Sequence, residues 1–244
     1  SGKTTLFNVL TGSNQFVGNW PGVTVEKKEG KYKEDKEIKI TDLPGIYSLS
    51  PYTLEEVVSR KYLLDEKVDV ILNIIDGSNL ERNLYLTTQL LELGIPVVVA
   101  VNMLDVIEKR GDKIDYKRLS KELRCDVVPI SALRNQGIDE LMKKVKSAAN
   151  SSYTVKSIYN RQIGDVLNEL QEFLPSNIDS SKKLFYSVKL FERDDKIIES
   201  LNIKIEDESI IANLEKELDD DSESIITNER YVYISSIIGE CITK

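Results

Sequence analysis

The sequence contains no histidine. That absence removes Ser-His-Asp and Cys-His nucleophilic chemistry together with every histidine-ligated metal. Any catalysis must therefore rest on carboxylates, lysine, backbone dipoles or a metal held by oxygen. Cysteine is scarce: Cys125 and Cys241 lie far apart, and a buried or partly buried free thiol in a reducing compartment is the expected state of each. No run of about 18 apolar residues occurs, so no membrane-spanning helix is expected. No signal-peptide pattern is visible either.

Positive charge is thin in the second half. Residues 1–150 hold 22 of the 33 Lys and Arg and 22 of the 41 Asp and Glu, and are neutral overall. Residues 151–244 hold the remaining 11 and 19, hence the whole net charge of −8. An acidic half of this kind argues against a grip on a nucleic-acid backbone.

What is present is an alternation. Apolar, β-branched runs at Asp69–Asp76, Ile95–Asn102 and Asp126–Ser131 suit strands buried on both faces, while Lys36–Asp42 alternates as an edge strand would. Helical patterns at Thr53–Asp65, Leu80–Leu93, Tyr116–Leu123 and Ile138–Ala149 lie between and after them. The order predicts an α/β domain with a mostly parallel sheet over residues 1–150. Around Asn150-Ser151-Ser152 the pattern changes, and residues 151–244 read as a small, acidic, all-α domain. Its apolar stripes include Ile163, Val166, Leu167, Leu170, Phe173 and Leu174, which Pro175 ends, and Ile226, Tyr231, Ile234, Ile237, Ile238 and Cys241, for which Ser222 is a candidate N-cap. These stripes read as helix-packing core, and Asp219-Asp220-Asp221 as a solvated loop.

Four short motifs fall at strand ends or helix starts. Ser1-Gly2-Lys3-Thr4-Thr5 matches the second half of a phosphate loop, where backbone N–H groups wrap phosphates, a lysine reaches the β and γ phosphates and a hydroxyl meets Mg²⁺. Asp42-Leu43-Pro44-Gly45 follows a strand; its carboxylate suits Mg²⁺ through water, and the Gly45 N–H a γ-phosphate. Asn102-Met103-Leu104-Asp105 ends the most apolar strand. Asp105 can accept from the ring N–H and exocyclic amine of guanine, donors that adenine lacks there. Ser131-Ala132-Leu133 follows the next strand and can cover the base, and Asn102 would tie the loops together. In this order, at the carboxyl ends of a sheet, the four make one nucleotide site and predict a P-loop GTPase.

These motifs resemble the Ras-like GTPase superfamily. More narrowly, Gly18-Asn19-Trp20-Pro21-Gly22-Val23-Thr24-Val25, Asp42 to Ser48, Asn79 to Thr87 and Asn228-Glu229-Arg230-Tyr231 resemble the FeoB family of bacterial ferrous-iron transporters, over nearly the whole chain. The resemblance implies a cytosolic G domain (1–150) and a helical domain (151–244) that influences GDP affinity. It implies Mg²⁺ as cofactor, GTP and GDP as ligands, and K⁺ as an activating cation. It further implies a membrane permease domain as partner at the cytoplasmic face of the inner membrane; the acidic half points to no nucleic acid as partner, and a homo-oligomer is left open. Thr24 matches the switch threonine that meets Mg²⁺ and the γ-phosphate. The expected nucleotide contacts are Ser1, Gly2, Lys3, Thr4, Thr5, Gly22, Val23, Thr24, Asp42, Gly45, Asn102, Met103, Asp105, Ser131, Ala132 and Leu133. Lys3, Thr24 and Gly45 are the candidate catalytic residues, and Thr4, Thr24 and Asp42 the candidate Mg²⁺ ligands.

Two departures stand out. Ile46 occupies the place of the glutamine that orients the attacking water in Ras-like proteins, so slow hydrolysis is expected unless backbone groups, another switch residue or a monovalent cation place the water. Met103 replaces the lysine common in the base-recognition motif, as FeoB sequences also do. Glu55 and Glu56 are candidates for indirect support, or plain helix carboxylates. The asparagine tied to potassium activation would precede Ser1 and is not in the sequence. One strand and the loop's first glycine, about ten residues, are expected before Ser1.

Trp20 reads either as a loop anchor or as a mobile switch residue. Asn79 is a candidate helix cap, and Asn228-Glu229-Arg230 a structural polar network. Two other functions share these motifs: a GTPase of ribosome assembly or tRNA modification, disfavoured by the acidic half, and a nucleotide-sensing switch whose turnover is incidental.

Overall fold

The computed structural model describes residues 1–243, and its strand pairing divides the first half of the chain between two three-stranded sheets. Helix α1 (Lys3–Thr11) leads into β1 (Gln15–Asn19), β2 (Glu26–Tyr32) and β3 (Asp35–Asp42), which pair antiparallel in chain order. After α2 (Leu54–Asp65) come β4 (Ile71–Asp76), α3 (Leu80–Leu90) and β5 (Val97–Asn102), with β4 and β5 parallel. Helix α4 (Leu104–Arg110), the two-residue β6 (Lys113–Ile114) and α5 (Tyr116–Leu123) precede β7 (Asp126–Pro129), which adds parallel to the other side of β5. The parallel sheet is thus the three apolar runs of the sequence. The antiparallel sheet contains Lys36–Asp42 as one member of a meander whose other two strands the sequence did not reveal.

Burial explains β5: all six residues from Val97 to Asn102 are buried, as the centre of a sheet covered on both faces requires. Helix α6 (Ile138–Ala149) lays Leu141, Met142 and Val145 on this core. It starts at Gly137, whose φ is +78°; a Cβ there would stand 2.5 Å from the Pro129 carbonyl, so the tight exit from β7 requires glycine.

Beyond α6 the elements are helices, α7 (Arg161–Leu170), α8 (Lys183–Phe191), α9 (Asp195–Leu201), α10 (Ser209–Leu218) and α11 (Ser222–Cys241), except for β8 (Ile242–Thr243), which pairs with β6. Ile163, Leu167, Leu170, Val188, Phe191, Ile211, Leu214 and Ile226 form a core made only of this half. The cap of α11 is Asp221, not Ser222: the carboxylate accepts from the Ser224 N–H at 2.9 Å, while Ser222 is already helical and receives Arg193 on its hydroxyl. Asp219 takes a left-handed conformation that closes α10. The acidic run therefore serves two helix ends, and no cluster of acidic or cysteine ligands suited to a metal exists among the described residues.

The two halves share a buried seam. Helix α11 runs along α3, with Tyr231 stacked on Tyr85 at 5.2 Å and Arg230 paired with Glu92 at 2.6 Å. A second ion pair joins Arg60 of α2 to Asp194, the N-cap of α9. Both cysteines are free; burial pushes the Cys125 thiol up to about 12. No described helix is long and apolar enough to cross a membrane.

Candidate functional site

The site gathers at the carboxyl ends of β3, β5 and β7. Gly2 caps α1 in a left-handed conformation, φ +82°, with no side chain accepting from the helix start and no acidic residue in the first turn. The leading N–H groups of α1 are thereby left for an anion. A Cβ on Gly2 would stand 2.3 Å from Asn102 Nδ2, so glycine is obligatory at this approach.

Asn102, 3% exposed, is the hub. Its Nδ2 donates to the Ser1 carbonyl at 2.8 Å, and its Oδ1 accepts from the Ala132 N–H at 3.0 Å. One side chain thus joins the start of the phosphate loop to the loop after β7. That second loop is closed on itself: Ser131 and Gln136 exchange backbone hydrogen bonds at 3.0 and 3.1 Å, and Ser131 Oγ accepts from the Arg134 N–H. Leu133 projects from it, 83% exposed. Met103 has φ +70° at the turn between β5 and α4, which sets Asp105 in the first helical turn. Its carboxylate lies 3.9 Å from Arg134 Nε.

Lys3 Nζ contacts the Asp42 carboxylate and also donates to the Leu43 carbonyl at 2.6 Å. The ammonium thus already links the phosphate loop to the segment that ends β3. Thr4 and Thr5 are exposed at the start of α1. Gly45 is exposed, with open space where a Cβ would stand, while Ile46 packs against the core of the parallel sheet. An aliphatic side chain turned inward has no group with which to orient a water.

Of residues 18–25, Gly18 and Asn19 end β1 and the rest stands in the loop between β1 and β2. Trp20 N–H donates to the Val25 carbonyl and Val23 N–H to the Trp20 carbonyl, so the loop closes as a hairpin with Gly22 at φ +74°. Trp20 is buried edge-on against Tyr62 of α2, with Lys27 4.7 Å from its ring centre; here it is an anchor. Thr24 is exposed and makes no side-chain hydrogen bond among the described residues. It does not join the network of Lys3, Asp42, Asn102 and Ala132. Glu55 is exposed, while Glu56 is half-buried and accepts from Ser50 Oγ. Asn79 sits at the N-cap of α3 without a capping hydrogen bond; its carbonyl instead accepts from Asn83.

Two protein-family models match this chain. A model of "Ferrous iron transport protein B" matches residues 1–145, more than half of the chain. The chain belongs to the FeoB family. The FeoB cytosolic helical domain matches residues 159–243. The Fe(2+) transporter FeoB of Escherichia coli K12 is 45% identical over 202 residues, covering 80% of this chain and 26% of that protein. The chain therefore spans about a quarter of that FeoB relative. A GDP-bound variant of NFeoB from S. thermophilus superposes with a TM-score of 0.95 at 45% identity, covering 99% of this chain and 95% of that one. An mGMPPNP-bound NFeoB from the same organism gives 0.86 at 45% identity, with 98% and 93% covered. The fold is thus the Ras-like G domain of FeoB followed by its helical domain.

Sequence reasoning missed three polar residues around the site: Arg134 beside Asp105, and Gln89 and Arg60 on either side of Leu49, in the segment after β3. The available signal was a polar residue on the buried stripe of a helix, since Arg60 and Gln89 are both 4% exposed.

Proposed function

We propose that residues 1–150 bind guanine nucleotide and hydrolyse GTP to GDP and phosphate, and that residues 151–244 form the domain that responds to nucleotide state. The observation that carries the reading is Asn102, whose single amide joins the phosphate loop to the loop that would cover the base. Two solved FeoB relatives hold GDP and mGMPPNP, which supports a guanine nucleotide as the ligand.

In this reading the α1 N-terminus and Lys3 receive the β and γ phosphates, so the ammonium must exchange Asp42 for phosphate when nucleotide enters. Asp105 accepts from guanine, and the backbone of Ser131, Ala132 and Leu133 covers the base. Asp42 and the exposed Thr4 hydroxyl are hard oxygen donors of the kind Mg²⁺ takes alongside phosphate oxygens and water. Bound there, Mg²⁺ would neutralise charge on the transferring phosphoryl group. Thr24 would complete the set only after the β1–β2 loop moves. Water attacks the γ-phosphorus, the bond to the bridging oxygen breaks, and GDP leaves with that electron pair. Since Ile46 offers no polar group, the Gly45 N–H and Lys3 carry the charge stabilisation, and turnover is slow. In the whole transporter this cycle would act on ferrous-iron passage through a membrane permease domain at the cytoplasmic face.

The test is a titration with fluorescent GDP followed by single-turnover GTP hydrolysis in K⁺ and in Na⁺. A rate above that of GTP in buffer in at least one salt is expected; none in either would leave a nucleotide-sensing module. Gly2→Ala should weaken GDP at least about tenfold in the same titration, because the added methyl displaces Asn102 and strains a left-handed φ. Unchanged affinity would separate Asn102 from the site.

A further inference from the structure

Leu49 lies four residues beyond Gly45 and is fully buried, yet it belongs to no helix or strand. A buried peptide outside regular structure needs partners of another kind. Both of its backbone groups find side chains, from different helices. The Leu49 N–H donates to Gln89 Oε1 of α3, and the Leu49 carbonyl accepts from Arg60 Nη1 of α2 at 3.3 Å. Gln89 Nε2 also donates to Ser48 Oγ at 3.1 Å. Arg60 is fixed in turn by a two-pronged pair with Asp194, at 2.5 and 3.2 Å, with both side chains buried.

Gly45 presents the opposite case. It is exposed and has open space around it, and Tyr47 nearby is 56% exposed. The segment therefore runs from a free glycine to a residue clamped at both ends of its peptide within four steps of chain. We infer that Gln89 and Arg60 are positioning residues for hydrolysis. They fix Leu49 and so set where Gly45 presents its N–H to the γ-phosphate. The inference rests on the GTPase reading above. Neither side chain touches nucleotide; each acts through the backbone it holds. Displacement of a transition-state donor by about 1 Å is enough to cost about a hundredfold in rate, so a short lever with a fixed end is a requirement for catalysis.

Gln89→Met keeps length and volume but removes both the donor and the acceptor; Gln89→Glu keeps the acceptor for the Leu49 N–H. Single-turnover GTP hydrolysis should fall about tenfold in the Met variant, with GDP affinity changed by less than about twofold, and recover to within about threefold of wild type in the Glu variant. Should the Met variant not fold, Gln89→Asn, which withdraws the amide by one methylene, must show the same split between rate and affinity. A Met or Asn variant with lowered melting temperature but wild-type rate, or with rate and GDP affinity falling together, overturns the positioning role. Wild-type protein without hydrolysis above buffer overturns the GTPase reading and the inference with it, whereas a normal wild-type rate shared by folded Gln89 variants overturns the inference alone.

Discussion

Asp105→Asn is expected to weaken GTP binding by at least about 100-fold and to turn preference towards xanthosine nucleotides. The carboxylate offers only acceptors, and guanine presents two donors to it, its ring N–H and exocyclic amine. An asparagine places an N–H₂ in the same space, where it meets a donor; xanthine has a carbonyl in place of that amine and accepts it. Losing a charge-assisted pair while leaving polar groups unmatched costs about 3 kcal/mol, which is the 100-fold stated. The fold gives the substitution little else to disturb: Asp105 lies in the first turn of α4, and its one ionic neighbour is the half-exposed Arg134 at 3.9 Å. That contact is loose and screened, so its loss has little effect on stability. Competition of GTP and XTP against fluorescent GDP measures both halves of the prediction. A variant that holds GTP as wild type does would remove Asp105 from the base site.

The motif that holds Asp105 was legible because its signal is local. Four consecutive residues begin at the last residue of an apolar strand, and the strand's burial is dictated by its own composition. β5 and the helices α2, α5 and α6 were readable for the same reason. The β1–β2 hairpin was not. Its strands, QFVGN and EKKEGKY, carry no clean alternation of apolar residues. Backbone pairing joins β1 to β2, the ion pairs lie within β2 (Lys27 on Glu29, Lys28 on Glu26) or reach β3 (Lys39 on Glu29), and of the two strands only Gly30 and Tyr32 are buried. Helices α4 and α9 escaped because each is seven residues long and buries one side chain, Ile107 or Ile197. In the site, Lys3 contacts Asp42, and Asn102 ties the loops together by joining Ser1 to Ala132, because each motif carries its own backbone geometry. Thr24 stands apart from this network, exposed in the β1–β2 loop, whose course no motif encodes. Arg60 and Gln89 were hidden for a further reason: their partners lie 134 and about 40 positions away, at Asp194 and Leu49.

The second large effect concerns the seam between the two halves. Arg230 of α11 is 1% exposed and donates to Glu92 at 2.6 Å and to Thr88 at 3.1 Å, while Tyr159 donates to the other Glu92 oxygen at 2.7 Å. Burial opposes the guanidinium charge, but the Glu92 carboxylate more than offsets it and raises the Arg230 pKa, so the guanidinium stays charged. Replacing Arg230 by Met leaves the Glu92 charge buried and without its cation. A loss of about 3–5 kcal/mol follows, and at about 2–4 °C per kcal/mol for a chain of this length the melting temperature should drop by roughly 10 °C. Because the Arg230–Glu92 pair lies at the centre of the seam that α11 forms with α3 and α5, the helical half should also begin to melt separately, giving two calorimetric transitions. Glu92→Leu and Tyr159→Phe added to Arg230→Met remove the carboxylate and the phenol left behind, while the Thr88 hydroxyl still donates to the Tyr85 carbonyl, and the triple variant should recover most of the lost stability. That recovery distinguishes the burial of an uncompensated charge from a loss of packing, since packing changes in both variants. A single Arg230→Met variant melting within about 2 °C of wild type would show instead that water reaches Glu92, and that the seam is held by the Tyr85–Tyr231 stack and apolar contacts.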